Sequence, residues 1–176
     1  MDFTNILGAL TANDSISTIA EKFNIDPKQV SSVISNAIPS FLGAMQQNAS
    51  TEGGANALIK ALGDHAGNAG NIVNNLKGAD LTDGSKILNH IFGGNLSSVV
   101  DGISSKSGVG SGIVSKILAS IAPSLLALLG KGQQSSQTGA GGLAGMLGSI
   151  LGASTGNSNS GGLGSILGGL GSIFGK

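Results

Sequence analysis

The chain has 176 residues, no cysteine, and nine basic residues, all of them lysine, against nine acidic residues. This length suits one domain, or one domain with a tail, and the balanced charge gives no positive field to gather a polyanion. Without cysteine the chain has no disulfide framework, thiolate metal site or thiol redox centre. The N-terminal segment lacks the pattern of a signal peptide. The longest apolar run, Ile117–Leu129, contains Pro123 and is shorter than the roughly 20 residues of a spanning helix. We therefore expect a soluble, cytoplasmic protein.

Apolar residues at helical spacing predict three helices in the first third of the chain. The first ends near Thr11, and Asp14 or Ser15 caps the second. The segment Asp26–Gln29 combines an N-cap, a proline at the first helical position and a capping box, so it begins a long apolar helix. This helix extends to Met45. Pro39 lies inside it, and we expect a kink or a restart there.

The same spacing predicts further helices to the C-terminal side. A shorter helix ends at Gly63. The Gly/Asn-rich stretch 64–81 contains a docked helical turn with Ile72, Val73 and Leu76. It leads to a helix capped by Thr82 and Asp83. The last long helix contains Pro123 and ends at Gly130.

The chain repeats its central unit at an offset of about 84 positions. Matching residues recur without a gap: Ile19 with Ile103, Val30 with Val114, and Pro39 with Pro123. The predicted fold is all-α, a compact bundle of internally duplicated helix-turn-helix-like units at 1–64 and 65–131. These units pack on each other as one domain through their proline-containing helices. A Gly/Ser/Leu-rich tail of short apolar helices, 132–176, follows and is partly ordered.

The tail has helical spacing but poor helical propensity. Its only charged side chain is Lys176, and each glycine costs about 0.8–1 kcal/mol relative to alanine in a helix. We expect these segments to be helical only where their apolar stripe is buried against the core, another copy or lipid. The candidate self-association residues are Leu143, Leu147, Ile150, Leu163, Ile166, Leu167, Leu170, Ile173 and Phe174.

The first repeat also has the layout of a helix-turn-helix motif. Ala20, Asn24, Val30 and Val33 match its small residue, turn and two core contacts. The exposed positions of the second helix would be Lys28, Gln29, Ser31, Ser32 and Ser35. Affinity for DNA comes largely from neutralised phosphates, and this chain has neither arginine nor net positive charge. The pattern therefore favours structural packing over DNA binding.

Other polar residues have structural interpretations. His65 and His90 are far apart in sequence and have no cysteine partner, so metal binding is not predicted. Asp80 and Asp83 straddle a helix start, where acidic side chains cap the helix and interact with its dipole. The Gly-rich tail lacks the strand and the Lys-Ser/Thr of a phosphate loop. We predict no catalytic residues, no metal, no cofactor and no small-molecule substrate.

Five stretches of the second repeat carry a family resemblance: Ile87–Gly93, Ser107–Val109, Lys116–Leu118, Ala122–Leu126 and Leu129–Lys131. With the Gly/Leu-rich C-terminus, they resemble the bacterial YidB-like proteins, the family of domain of unknown function 937. The resemblance covers residues 1–131 and the style of the tail. It implies an all-helical bacterial fold without an established activity, and it supplies no catalytic residues.

These features predict a non-enzymatic structural or protein-interaction module that self-associates through apolar helices. Its expected partner is another copy of the chain or another protein. Two alternatives are a helix-turn-helix-like nucleic-acid-binding regulator and a protein attached to a membrane surface through its C-terminal tail.

Overall fold

A computed structural model describes residues 3–67, 69–136, 142, 145 and 147–150. The regular elements in these ranges are all helical, which confirms the all-α prediction. They are α1 (Phe3–Thr11), α2 (Asn13–Phe23), α3 (Pro27–Ala49), α4 (Glu52–Ala66), α5 (Ile72–Lys77), α6 (Leu81–Phe92), a 3-10 turn (Gly93–Asn95), α7 (Leu96–Ser107) and α8 (Ser111–Ser136). The helices pack into a compact bundle around one apolar core.

Local capping signals place one helix start correctly and two incorrectly. At the start of α3, the Asp26 carboxylate accepts the Lys28 N–H at 2.7 Å, and the Gln29 side chain accepts the Asp26 N–H at 3.3 Å. This is the predicted capping box. In contrast, α2 begins at Asn13 without a side-chain cap, so the prediction that Asp14 or Ser15 caps it was wrong. The N-cap of α6 is Asp80, whereas the predicted caps Thr82 and Asp83 lie inside its first turn.

Three helices continue through residues that were expected to interrupt or end them. The α3 helix runs through Pro39 without restarting, α4 passes Gly63, and α8 passes Gly130. A proline removes one intrahelical hydrogen bond, and a glycine costs about 1 kcal/mol. Fully burying one large apolar side chain stabilises by about 1.5–3 kcal/mol. On both sides of Pro39, α3 buries such residues, among them Ile38 and Phe41, so burial outweighs the lost hydrogen bond there.

The α8 helix is the centre of the bundle, with α4 and α6 packed on it. Two glycines permit this approach. A Cβ atom at Gly130 would overlap the Leu62 carbonyl oxygen of α4, and a Cβ atom at Gly84 of α6 would overlap the Ala119 carbonyl oxygen of α8. Gly130 is therefore a contact residue rather than a helix terminator.

The length and hydropathy of α8 also correct an expectation. The segment Ser111–Lys131 is long and apolar enough to cross a membrane, with a mean hydropathy of 1.9. The apolar run Ile117–Leu129 had predicted that this part of the chain is too short to span a membrane. In the structure, 72% of the most apolar 18-residue part of this segment is buried inside the bundle. A helix that is apolar on all sides is typical of the core of a protein as well as of a membrane span.

Two helix pairs have the same layout. A left-handed residue joins α2 to α3, Asn24 with φ 52°, and another follows α7 before α8, Gly108 with φ 69°. These positions correspond under the predicted repeat. The duplication itself, and the division at residue 64, stay predictions.

Candidate functional site

An apolar groove lies between α4 and α6, which both pack on α8. Its volume is about 390 Å³. The floor of the groove consists of the buried side chains of Leu58, Ile91 and Leu126. Its walls consist of the half-buried side chains of Ala57, Ala61 and Ile87. Because the walls keep apolar surface in contact with solvent, the groove suits an apolar occupant.

Polar side chains, three of them charged, form the rim of this groove. Lys60 and Asp64 extend from α4, and Lys86 and His90 from α6; all four are exposed. The Lys60 ammonium lies 2.9 Å from the Asp64 carboxylate. An exposed pair of this kind contributes about 0–1 kcal/mol. Lysine can lay its aliphatic stem along an apolar occupant and keep its charge in water, so the rim is compatible with an uncharged helix.

The described part of the tail is packed against the protein's own body. Leu147 is fully buried and Ile150 is 4% exposed, and both belong to the hydrophobic core. Between them, a Cβ atom added at Gly148 would lie 3.0 Å from the side-chain nitrogen of Gln46, near the end of α3. This is the docking on the core that the sequence left open beside self-association.

The other candidate self-association residues lie outside the described residues: Leu143, Leu163, Ile166, Leu167, Leu170, Ile173 and Phe174. A self-association role for all nine stays a prediction.

A second, polar cleft of about 350 Å³ lies beside the start of α6. His65, Asn74, Asp80 and Asp83 are among its lining residues. The Asp80 carboxylate accepts the N–H of Thr82 at 2.7 Å, and this backbone hydrogen bond is the main reason why the pKa of Asp80 is lowered. Asp80 is the N-cap of α6 and Asp83 lies in its first turn, as the capping interpretation of this pair predicted.

The two histidines are in different places. His65 lines the polar cleft, whereas His90 lies at the rim of the apolar groove. Within the described ranges, no three His, Cys, Asp or Glu residues are grouped so that they could hold a metal ion.

The helix-turn-helix residues have the expected arrangement only in part. Val30 and Val33 are buried, and Lys28 and Ser35 are exposed. Gln29, Ser31 and Ser32 were also predicted to be exposed, but they are half-buried and present less surface to a partner. The exposed Glu21 and Asp26 line the shallow depression at the turn. Two carboxylates on this surface are a poor match for phosphates.

Lys22 has a structural role that the sequence did not reveal. Its ammonium group donates to the carbonyl oxygens of Leu76 at 3.0 Å and Ala79 at 3.2 Å, around the C-terminal end of α5. Burial lowers its pKa. Asn48 acts similarly, because its side-chain amide donates to the Ile91 carbonyl at 2.7 Å, in the last turn of α6. The sequence did not predict either contact, because the partner residues lie far apart along the chain.

A family model described as "Bacterial protein of unknown function (DUF937)" matches residues 5–132. The matched range contains the whole groove between α4 and α6, and it ends before Leu147. No curated protein and no solved structure matches the chain.

Proposed function

Because this chain belongs to the DUF937 family of bacterial proteins of unknown function, we propose its function from geometry: it is a non-enzymatic helical module that self-associates through the apolar segments of its C-terminal tail. The observation that carries the proposal is the burial of Leu147 and Ile150. Burying two such side chains stabilises by about 3–6 kcal/mol before ordering costs, which offsets the low helical propensity of neighbouring glycines. An apolar stripe of this tail therefore acts as a docking element.

The polar side chains of the groove and of the polar cleft support the same proposal. Asp80 caps α6, and Lys60 pairs with Asp64 along α4. Each of these contacts stays within one helix and has a structural role there. The groove itself presents mainly apolar surface, which recognises an apolar helix better than a polar small molecule.

The test is the molar mass of the full chain by size-exclusion chromatography with light scattering. We expect wild type to exceed the 17.1 kDa of one chain. The double variant Leu163→Ser and Leu170→Ser should return to one chain mass, because it removes apolar side chains beyond the docked segment. The control Ser165→Ala and Ser172→Ala alters polar positions and should assemble like wild type.

Two further assays address the alternatives with the same variants. In one outcome, wild type floats with liposomes, the variant Leu163→Ser with Leu170→Ser does not, and both have the mass of one chain. This outcome would contradict the proposal in favour of attachment to a membrane surface. A salt-dependent mobility shift on duplex DNA, again without self-association, would contradict it in favour of nucleic-acid binding.

A further inference from the structure

The tail contains three copies of an octapeptide, Gly-X-Leu-Gly-Ser-Ile-(Leu/Phe)-Gly. They occupy residues 145–152, 161–168 and 168–175, and the last two share Gly168. The copies align Leu147 with Leu163 and Leu170, and Ile150 with Ile166 and Ile173. What the first copy does is therefore informative about the other two.

The described part of the first copy is a helical turn with one buried side. Leu147 and Ile150, three residues apart, enter the core. Ser149 is exposed, and its hydroxyl donates to the Gly145 carbonyl at 3.0 Å. Gly148 lies against the Gln46 side chain. The octapeptide thus has the features of a docking motif: Leu and Ile on one face, serine on the other, and glycine where a neighbouring element comes close.

The groove between α4 and α6 has a surface suited to this motif. Ala57 and Ala61 lie one helical turn apart, and their small side chains leave room above this side of α4. Small residues on facing helices permit close backbone approach. Ile87 on the opposite wall and Leu126 on the floor supply apolar contacts. Residues 161–175 carry no charge, so Lys60 and Lys86 at the rim would meet no like charge.

We propose that residues 161–175 of one copy bind in the groove between α4 and α6 of a second copy. This inference rests on the proposed function and identifies the surface that receives the tail. The two contact surfaces are different, so the contact is heterologous and forms a ring or an open chain of copies.

Complementary variants test the pairing. Ala57→Arg fills the groove, since arginine is a good helix former with a long side chain. Leu163→Ser with Leu170→Ser disables the tail. Each protein alone should run as one chain of 17.1 kDa. An equimolar mixture should form a dimer and stop there, because only one groove and one tail remain competent. Asn56→Arg, at an exposed neighbouring position on α4, should assemble like wild type.

Each other outcome has a definite meaning. If Ala57→Arg retains the wild-type thermal melt and still assembles, the groove is not the receiving surface, although self-association through the tail stands. A mixture that stays at one chain mass rules out pairing between copies. Binding of each tail to the groove of its own chain would give this result. If wild type is a single chain, both proposals fail.

A second measurement remains decisive if Ala57→Arg does not fold. The chain has no cysteine, so Ala61→Cys in one preparation and Ile166→Cys in another place one thiol on each proposed surface. Oxidation of the mixture should yield a disulfide-linked pair of chains. Replacing Ala61→Cys by Asn56→Cys should abolish most of that product, and equal yields would overturn the proposal.

Discussion

Gly84 gives the sharpest prediction about stability. A Cβ atom at Gly84 would overlap the carbonyl oxygen of Ala119 in α8. Ala119 precedes Pro123 by four residues, and proline has no N–H to donate, so this carbonyl lacks its usual partner within the helix. The missing side chain of Gly84 leaves the space that this oxygen occupies. Gly84→Ala should therefore force α6 and α8 apart.

The magnitude follows from two opposing contributions. Overpacking a well-packed contact costs about 1–3 kcal/mol or more, whereas replacing a helical glycine with alanine gains about 0.5–1 kcal/mol. We expect a net loss of about 1–2 kcal/mol. For a domain of this size, that corresponds to a melting temperature lower by roughly 2–8 °C.

Gly63→Ala is the matched control. Gly63 lies in α4, is exposed, and has no neighbouring atom within 4 Å of an added Cβ. The same substitution there should stabilise by about 0.5–1 kcal/mol. Thermal and urea unfolding followed by far-ultraviolet circular dichroism measure both. Equal melting temperatures for Gly84→Ala and Gly63→Ala would refute the close contact between α6 and α8.

Three other substitutions test separate parts of the structure. Leu147→Ala should lower the free energy of unfolding by about 2–5 kcal/mol, and an unchanged urea midpoint would show that the tail segment is not part of the core. Ser120→Ala should raise the melting temperature, because the buried Ser120 hydroxyl has no hydrogen-bond partner among the described residues; a lower melting temperature would contradict this. Asp80→Asn tests the lowered pKa of the α6 cap. A carboxyl group whose pKa is lower in the folded state stabilises above its unfolded pKa of about 4, and that contribution is lost as pH falls through the folded pKa. Wild type should therefore exceed Asp80→Asn in stability at neutral pH and lose this advantage in acid, and a pH-independent difference would contradict the charge effect.

Local sequence signals predicted the parts of the fold that depend on neighbouring residues. The α3 start is an example, because Asp26 and Gln29 are close enough in sequence to form the capping box by themselves. The apolar face of α3 and the docked Leu76 of α5 were likewise readable from helical spacing. The confirmed all-α fold follows from such signals.

Long-range contacts determined what the sequence did not show. Gly63 and Gly130 look alike as helix-ending glycines, yet one is exposed and the other is pressed against the α4 backbone. Only the position of a distant helix distinguishes them. Lys22 is similar, because its carbonyl partners lie more than fifty positions away along the chain.

The groove between α4 and α6 was also beyond prediction. Its wall residues Ala57 and Ile87 come from helices that were predicted separately, without information on their spacing. For the tail, helical spacing placed Leu147 and Ile150 on one apolar stripe, and both are buried. The burial of Leu147 in the core depends on its contact with the folded body, which spacing alone cannot specify.

The most direct test of the account is the molar mass of the unmodified full chain measured by light scattering over a dilution series. Self-association through the tail predicts a mass above 17.1 kDa that falls towards this value as the protein is diluted. A constant 17.1 kDa up to the solubility limit, with a normal thermal melt, would contradict it.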